Sequence, residues 1–351
     1  MSCLRWILAP IAPLYWLIVC VRNWAFDRHY KHIAEVPIPV ISVGNLTAGG
    51  TGKTPITIYL ADAIGKMGLH TNIVSRGYGG RQEFGPMVVD PSSSPTQSGD
   101  EPLMMARRLG PNRITVGRKR YHAAILALSL RPRPDMLIMD DGFQHRGLKR
   151  DVDILLLDGI RCWGNGLMLP IGNLREPMHG AARASCLVVT RSNQANRDKI
   201  ITWWKHWGSD GPIFWVSFAI RSIYKFGSTE KIEIDKCSTT LGSLFAFCAI
   251  GHPEAFFSDL KALGVVLIGT KSFKDHKFLS ESTIQQLQVM AVNVGASGLV
   301  CTEKDAVKLT YNRSLTIPIW IAEQQVVGGE PMLSWLLQQI VTTPIRQDKA
   351  Y

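Results

Sequence analysis

Six consecutive residues, Gly49-Gly50-Thr51-Gly52-Lys53-Thr54, constrain what this chain can fold into more than any other stretch of it. An apolar run, residues 40–43, precedes them, and Pro55 follows at a first-turn helix position, where a missing N–H costs little. The order strand, glycine loop, helix lets backbone N–H groups close around phosphate oxygens. In such a loop Gly49, Gly50, Thr51 and Gly52 form the cradle, Lys53 brings charge to the β and γ phosphates, and the Thr54 hydroxyl is placed to ligate magnesium. The general pattern asks for glycine at position 47, where this chain has Thr47; Gly44, Gly49 and Gly50 supply the flexibility instead. A tight turn with a solvated lysine is the bland alternative, but it leaves the strand before and the helix after unexplained.

A second feature points the same way. Residues 136–139 are an apolar run that ends in Asp140-Asp141-Gly142, so a strand delivers carboxylates at its C-terminal edge, where open α/β sheets bind ligands and an aspartate can hold magnesium. Neighbouring side chains on an extended segment face opposite ways, so one of the pair is expected to reach the metal shell. An aspartate at a strand end can equally be a turn or a helix cap. Further apolar runs at 72–75, 153–157 and 187–190 read as strands buried on both faces, separated by amphipathic stretches, which predicts helices wrapped on a mainly parallel sheet. Residues 91–99, with two prolines and four serines, read as a loop.

A second alternating series begins near Leu241, with strands expected at 245–250, 265–268 and 299–302 and a helix over 281–294. The fold class is therefore α/β: a P-loop NTPase-like parallel sheet domain with a second, smaller α/β domain. Alternation over 217–234 and 317–322 predicts a two-stranded connection, after which a helix over 332–341 returns to the first domain. The boundaries that follow are 1–25 for an amino-terminal segment, 26–218 for the P-loop domain, 219–235 for a linker, 236–316 for the second domain and 317–351 for a return strand and C-terminal helix.

The amino terminus carries an uncharged stretch, residues 6–21, as a helix about 24 Å long at 1.5 Å per residue, short of the roughly 30 Å hydrocarbon core. Pro10 and Pro13 are expected to bend it, Trp6, Tyr15, Trp16 and Trp24 suit a headgroup zone, and Arg22, Arg28 and Lys31 form a basic flank. An interfacial anchor is the reading adopted; a buried core helix, a true span and a signal peptide are the alternatives. With 351 residues, 46% hydrophobic and 19% charged, the chain has enough for a sizeable core and is too apolar for disorder. An excess of 39 Lys and Arg over 28 Asp and Glu, a net charge of +11, favours anionic partners. Nucleic acid is not among those expected, because the basic residues are dispersed and carry no RNA or DNA motif. Seven cysteines, an odd number without C-x-x-C spacing, read as buried free thiols in a reducing compartment.

The segment Asp140-Asp141-Gly142-Phe143-Gln144-His145-Arg146-Gly147-Leu148-Lys149-Arg150-Asp151 resembles the hallmark of the tetraacyldisaccharide 4'-kinases, the lipid A 4'-kinases of Gram-negative bacteria. Other stretches look like family motifs in family order: the loop from Gly44 to Pro55, Ser75-Arg76-Gly77-Tyr78-Gly79-Gly80, Gly99-Asp100-Glu101-Pro102, Leu174-Arg175-Glu176-Pro177, Gly251-His252-Pro253 and Thr302-Glu303-Lys304-Asp305-Ala306. The resemblance runs from the amino terminus to about residue 308.

It implies an enzyme that uses ATP and Mg2+ to phosphorylate the 4'-hydroxyl of a tetraacylated glucosamine disaccharide 1-phosphate, working at the cytoplasmic face of the inner membrane on a glycolipid partner. It maps the proton acceptor onto Asp100, partnered by His276, with Lys53 and Arg118 facing the transferring phosphate. Thr54, Glu101, Asp140 and Asp141 become the magnesium-side oxygens, and Gln144, His145 and Glu176 shape the site. Taken without the resemblance, Asp100 and Glu101 could cap a helix before Pro102, His276 could be a surface histidine beside Lys274 and Lys277, and Arg118 could be a solvated basic turn. A switch NTPase is the competing class, but neither Thr190-Arg191-Ser192-Asn193 nor Glu303-Lys304-Asp305 makes the N-K-x-D base-reading pattern. A membrane-bound nucleotide sensor would need the loop and not Asp100 or His276.

Overall fold

The structure is a computed structural model that describes residues 9–78, 80, 85–228, 230–274, 277–309 and 316–341. The chain divides into two compact units, Met1–Ser217 with Val326–Tyr351, and the inserted Phe218–Gln325.

The first unit is built on eight strands: β1 (Val40–Asn45), β2 (Thr71–Ser75), β3 (Met87–Val88), β4 (Ile114–Val116), β5 (Met136–Asp140), β6 (Val152–Asp158), β7 (Cys186–Thr190) and β8 (Ile213–Trp215). Their order is β3-β4-β2-β5-β1-β6-β7-β8, parallel throughout except for the short edge strand β3 against β4. Such a sheet is covered on both faces, and β1, β2, β5, β6 and β7 are buried along their whole length, as their near-continuous apolar runs require. Alternation sorts the side chains: Leu155 and Leu157 of β6 join a cluster with Trp203 and Trp204, while Leu137 and Met139 of β5 join one with Ala123 and Ala127. The helix Lys53–Lys66 packs through Ile56, Leu60 and Ile64, which are fully buried at four-residue spacing. Each such side chain contributes about 1.5–3 kcal/mol to folding by leaving water.

Strand β1 connects to β2 on its β5 side, whereas its other neighbour, β6, connects onward to β7, and this reversal opens a crevice beyond the C-terminal ends of β1 and β6. The glycine loop fills that position.

Two expectations change on the amino-terminal side. The helix spans Ala12–Asp27 and so takes in Arg22, Asn23 and Asp27, and Pro13 sits in its first turn, where no N–H partner is lost. Residues 91–99 are not all loop: Ser94 accepts a hydrogen bond from the Thr96 N–H and caps a single helical turn, Pro95–Ser98, with Pro95 in its first position.

The second unit holds β9 (Ser217–Lys225), β10 (Lys231–Glu233), β11 (Ser243–Cys248), β12 (Val266–Ser272), β13 (Gly298–Thr302) and β14 (Ile319–Val327) in the order β10-β9-β14-β13-β11-β12. Pairing is parallel from β14 to β12, and β10 runs antiparallel to β9. The two connecting strands, β9 and β14, are neighbours and are built into this sheet. On β11 the period of two is explicit. Leu244, Ala246 and Cys248 meet Phe256, Phe257 and Leu260 of helix Pro253–Ala262, and Phe245 and Phe247 meet Leu287 and Ala291 of helix Glu281–Asn293 on the other face. The helix Glu330–Val341 belongs to the first unit, where Trp335 packs against Phe214. The described cysteines are free thiols, all buried but Cys20, and burial pushes the Cys186 thiol well up, so it stays protonated at neutral pH.

Candidate active site

The loop from Gly44 to Gly52 turns twice through backbone that disfavours a side chain, at Gly49 (φ 121°) and Gly52 (φ 82°), and Gly52 then caps the helix Lys53–Lys66. Its first half is not a free turn. Ala48 N–H donates to the Asn173 carbonyl at 2.6 Å, Arg175 N–H donates to the Leu46 carbonyl at 2.7 Å, and Thr47 pairs antiparallel with Leu174. Position 47 is thus strand-like, which is why threonine serves where other phosphate loops need glycine. The second half is held by Thr190, whose hydroxyl donates to the Thr51 carbonyl at 3.1 Å. Gly44 is required for a different reason: a Cβ there would lie 2.6 Å from the backbone nitrogen of Phe143.

Lys53 emerges at the helix start only 12% exposed, donating to Asn45 Oδ1 at 3.2 Å and lying 3.6 Å from Asp141 Oδ1. Asp141 follows the end of β5 with φ +48°, a left-handed turn that directs it away from Asp140. Gly142 makes the turn possible, since a Cβ would meet Ser42 Oγ at 2.6 Å. Arg175 Nη1 donates to both oxygens of Asp141, at 2.8 and 2.9 Å. Burial pushes the Asp141 carboxyl up, but Lys53 and Arg175 outweigh it and hold the group below the usual carboxylate range.

Asp140 points inward, accepting from Thr57 Oγ1 at 3.4 Å and Ser75 Oγ at 3.3 Å, while Arg120 Nη2 donates to its backbone carbonyl at 3.1 Å. Burial, then the charges of Glu101 and Asp141, push its carboxyl up to about 7 against the pull of Lys53 and Arg120. Glu101 accepts from the Thr54 hydroxyl at 3.1 Å. Thr54, Glu101 and Asp140 are hard oxygen donors gathered beside a phosphate loop, and the mutual repulsion of the two carboxylates is what a divalent cation relieves, so this donor set fits Mg2+. Among the described residues no group of three or more His, Cys, Asp or Glu side chains forms a metal cage, and a magnesium ion held mainly by phosphates does not need one.

Residues 4–341 match the family model described as tetraacyldisaccharide-1-P 4'-kinase. The chain belongs to the tetraacyldisaccharide 4'-kinase family. It is 34% identical over 311 residues to the tetraacyldisaccharide 4'-kinase of Actinobacillus succinogenes, covering 88% of this chain and 86% of that one. Over 340 residues it is 32% identical to that of Chromobacterium violaceum, covering 96% and 94%. The crystal structure of LpxK from Aquifex aeolicus in complex with ATP superposes with a TM-score of 0.76 at 30% identity, over 96% of this chain and 99% of that one.

Of the residues that the resemblance to 4'-kinases singles out, the structure gathers Lys53, Thr54, Glu101, Asp140, Asp141, Gln144 and Glu176 within the first unit and leaves Arg118 facing outward. Asp100 and Glu101 do not cap a helix: Gly99 is the cap, and they occupy the first turn of Asp100–Leu109. Gly99 (φ 90°) is fixed there by the Tyr78 carbonyl, 2.5 Å from where a Cβ would stand, so the turn before Asp100 rests on the Ser75-Arg76-Gly77-Tyr78 segment. Gln144 Nε2 donates to the Asn45 carbonyl and to Glu176 Oε1, each at 2.8 Å. Glu176 is fully buried and also accepts from Arg183 Nη2 at 2.8 Å. His145 is half-buried, and burial together with Arg120, Arg150, Arg76 and Arg22 pushes its imidazole down to about 4, so it is neutral at pH 7.

Arg118 is exposed, whereas Arg120, two residues on and 3% exposed, is the arginine at the acidic pair. The helix Arg120–Leu128 starts at Arg120 and turns it inward, leaving Arg118 on the extended turn before it. His276 lies outside the described residues. Asn45 and Arg175 are site residues that sequence reasoning missed; each stood inside a recognised motif, which was the available signal.

Proposed function

We propose that this protein transfers the γ-phosphoryl group of ATP to the 4'-hydroxyl of a tetraacylated glucosamine disaccharide 1-phosphate, the kinase step of lipid A biosynthesis. One observation carries the reading: Lys53 and Arg175 converge on Asp141 at the mouth of a glycine loop, a pair of cations at the place where the phosphates of ATP are held in P-loop proteins. Phosphoryl transfer asks mainly for positioning, charge neutralisation and a proton acceptor. Lys53 and the backbone N–H groups of Gly49 to Gly52 neutralise the β and γ oxygens. Asp100 takes the proton of the attacking hydroxyl as the new P–O bond forms and the bond to the bridging oxygen of ADP breaks. Arg120, or Arg118 as the resemblance has it, steadies the acidic side of the site. Mg2+, when bound, supplies further charge neutralisation, and Thr54, Glu101 and Asp140 would hold it, with Asp141 as the alternative carboxylate.

The acceptor is a lipid, and the amino-terminal helix suits an interface. Leu14, Trp16, Leu17, Ile18, Val21 and Trp24 are 49–58% exposed on it, while Val19 and Asn23 face the protein. No helix among the described residues is long and apolar enough to cross a membrane. The protein would therefore lie on the membrane, on its cytoplasmic face, where ATP is present. The test is label transfer from γ-labelled ATP to the detergent-solubilised acceptor. The lipid gains label with the wild type and loses at least about 10³-fold in rate with Lys53→Ala, comparable to the loss of other phosphate-charge contacts. Release of inorganic phosphate without labelled lipid would overturn the reading.

A further inference from the structure

Inside the first unit, an unbroken series of hydrogen bonds leads from the exposed amino-terminal helix to the lysine of the glycine loop. Arg22 donates from Nε and Nη2 to Asn23 Oδ1, at 3.3 and 3.0 Å, which fixes the way the amide faces. Asn23 Nδ2 then donates to Glu176 Oε2 at 3.1 Å. The other oxygen of that carboxylate accepts from Gln144 Nε2, which also donates to the Asn45 carbonyl, and Asn45 Oδ1 accepts from Lys53.

Glu176 is the pivot. Its side chain is fully buried, and a buried carboxylate stays in place only while donors face it. The fit around it is close: a Cβ at Gly180 would stand 2.9 Å from Oε2. The same helical turn also grips the hallmark segment directly. Arg146, two residues beyond Gln144, donates to the Asn23 carbonyl at 3.1 Å and to Asp27 at 2.6 Å. Displacing this turn therefore moves both the acceptor of Gln144 and the segment that carries it, and a misplacement of about 1 Å at a reacting site can cost about 10²-fold in rate.

We propose that Asn23 is a positioning residue for phosphoryl transfer: through Glu176 and Gln144 it holds Asn45, and with it Lys53, so that the seating of the amino-terminal helix is read out at the phosphate loop. This rests on the kinase reading of the site. The experiment uses the full chain, saturating ATP and detergent-solubilised acceptor, and compares wild type, Asn23→Leu, Gln144→Leu and the double variant. Asn23→Leu lowers kcat about tenfold, the effect of losing one hydrogen bond to a charged group, while acceptor KM and sedimentation with anionic vesicles stay within about twofold. In the double variant kcat falls no further than in the more damaged single variant, because the residues act as one unit.

Unchanged kcat in Asn23→Leu, or losses that multiply in the double variant, would overturn the proposal, since a merely structural role gives independent effects. If Asn23→Leu does not fold, Asn23→Ser, too short to reach Glu176, carries the same cycle. An inactive wild type would count against the kinase reading instead.

Discussion

Asp140 and Asp141 are adjacent in sequence and opposite in circumstance. Asp141 is turned outward by its left-handed backbone onto two cations, and Asp140 is driven inward among hydroxyls with Glu101 near it. The pair was legible in the sequence as a strand-end motif. The divergence was foreseen from the pleat, although the turn at Asp141, not the pleat, produces it. The arginines were less legible, because which of Arg118 and Arg120 faces inward depends on where a helix starts, and a two-residue difference in that start is beyond pattern reading. Because the folded Asp140 carboxyl is raised from 3.8 to about 7, the native state binds its proton more tightly than the unfolded chain does. The stability this supplies is complete below the unfolded value and is lost as the pH rises through 7. Asp140→Asn should therefore melt at a higher temperature than the wild type without magnesium, by a margin that grows from about pH 4 to pH 7 and is level above, while transfer falls sharply. Thermal melts across that range decide it, and a margin independent of pH would contradict the assignment. For the proton acceptor, Asp100→Ala should lower kcat by about 10² to 10⁴ with ATP affinity within a few-fold, measured by steady-state kinetics and nucleotide binding.

At the scale of elements, the sheet was the most readable part. Strands β1, β2, β5, β6 and β7 coincide with apolar runs because burial on both faces leaves no polar alternation to obscure them. Strands β3, β4 and β8, of two or three residues, were too short to stand out. The amino-terminal helix was placed too early because hydropathy stops at Arg22, whereas the helix continues through Asn23 and Asp27, whose partners Glu176 and Arg146 are far away in sequence. That offset sets the design of a test. Truncation through Arg22 would remove Tyr15, which donates to the Arg175 carbonyl at 2.9 Å, and would disturb the site as well as the surface. Replacing Leu14, Leu17, Ile18 and Val21 by serine or glutamine changes exposed positions alone. Sedimentation with phospholipid vesicles should fall several-fold while ATP binding is unchanged; full retention on vesicles would refute an interfacial role for this helix.

For the whole molecule, the net charge of +11 suits an acceptor that already bears a phosphate and a surface that is anionic, yet charge alone never chose among phosphate, lipid and nucleic acid. The second unit was legible as an α/β series from its strands and helices, while its part in the reaction rested on the resemblance at His276, outside the described residues. What the whole chain is for reduces to where one phosphoryl group ends up. The most direct measurement is the 31P spectrum of the lipid after reaction with ATP. A second phosphomonoester, on the 4' oxygen, is expected to appear in step with ADP and to be absent with Lys53→Ala. A diphosphate at the 1 position, or inorganic phosphate with the lipid unchanged, would contradict the kinase reading.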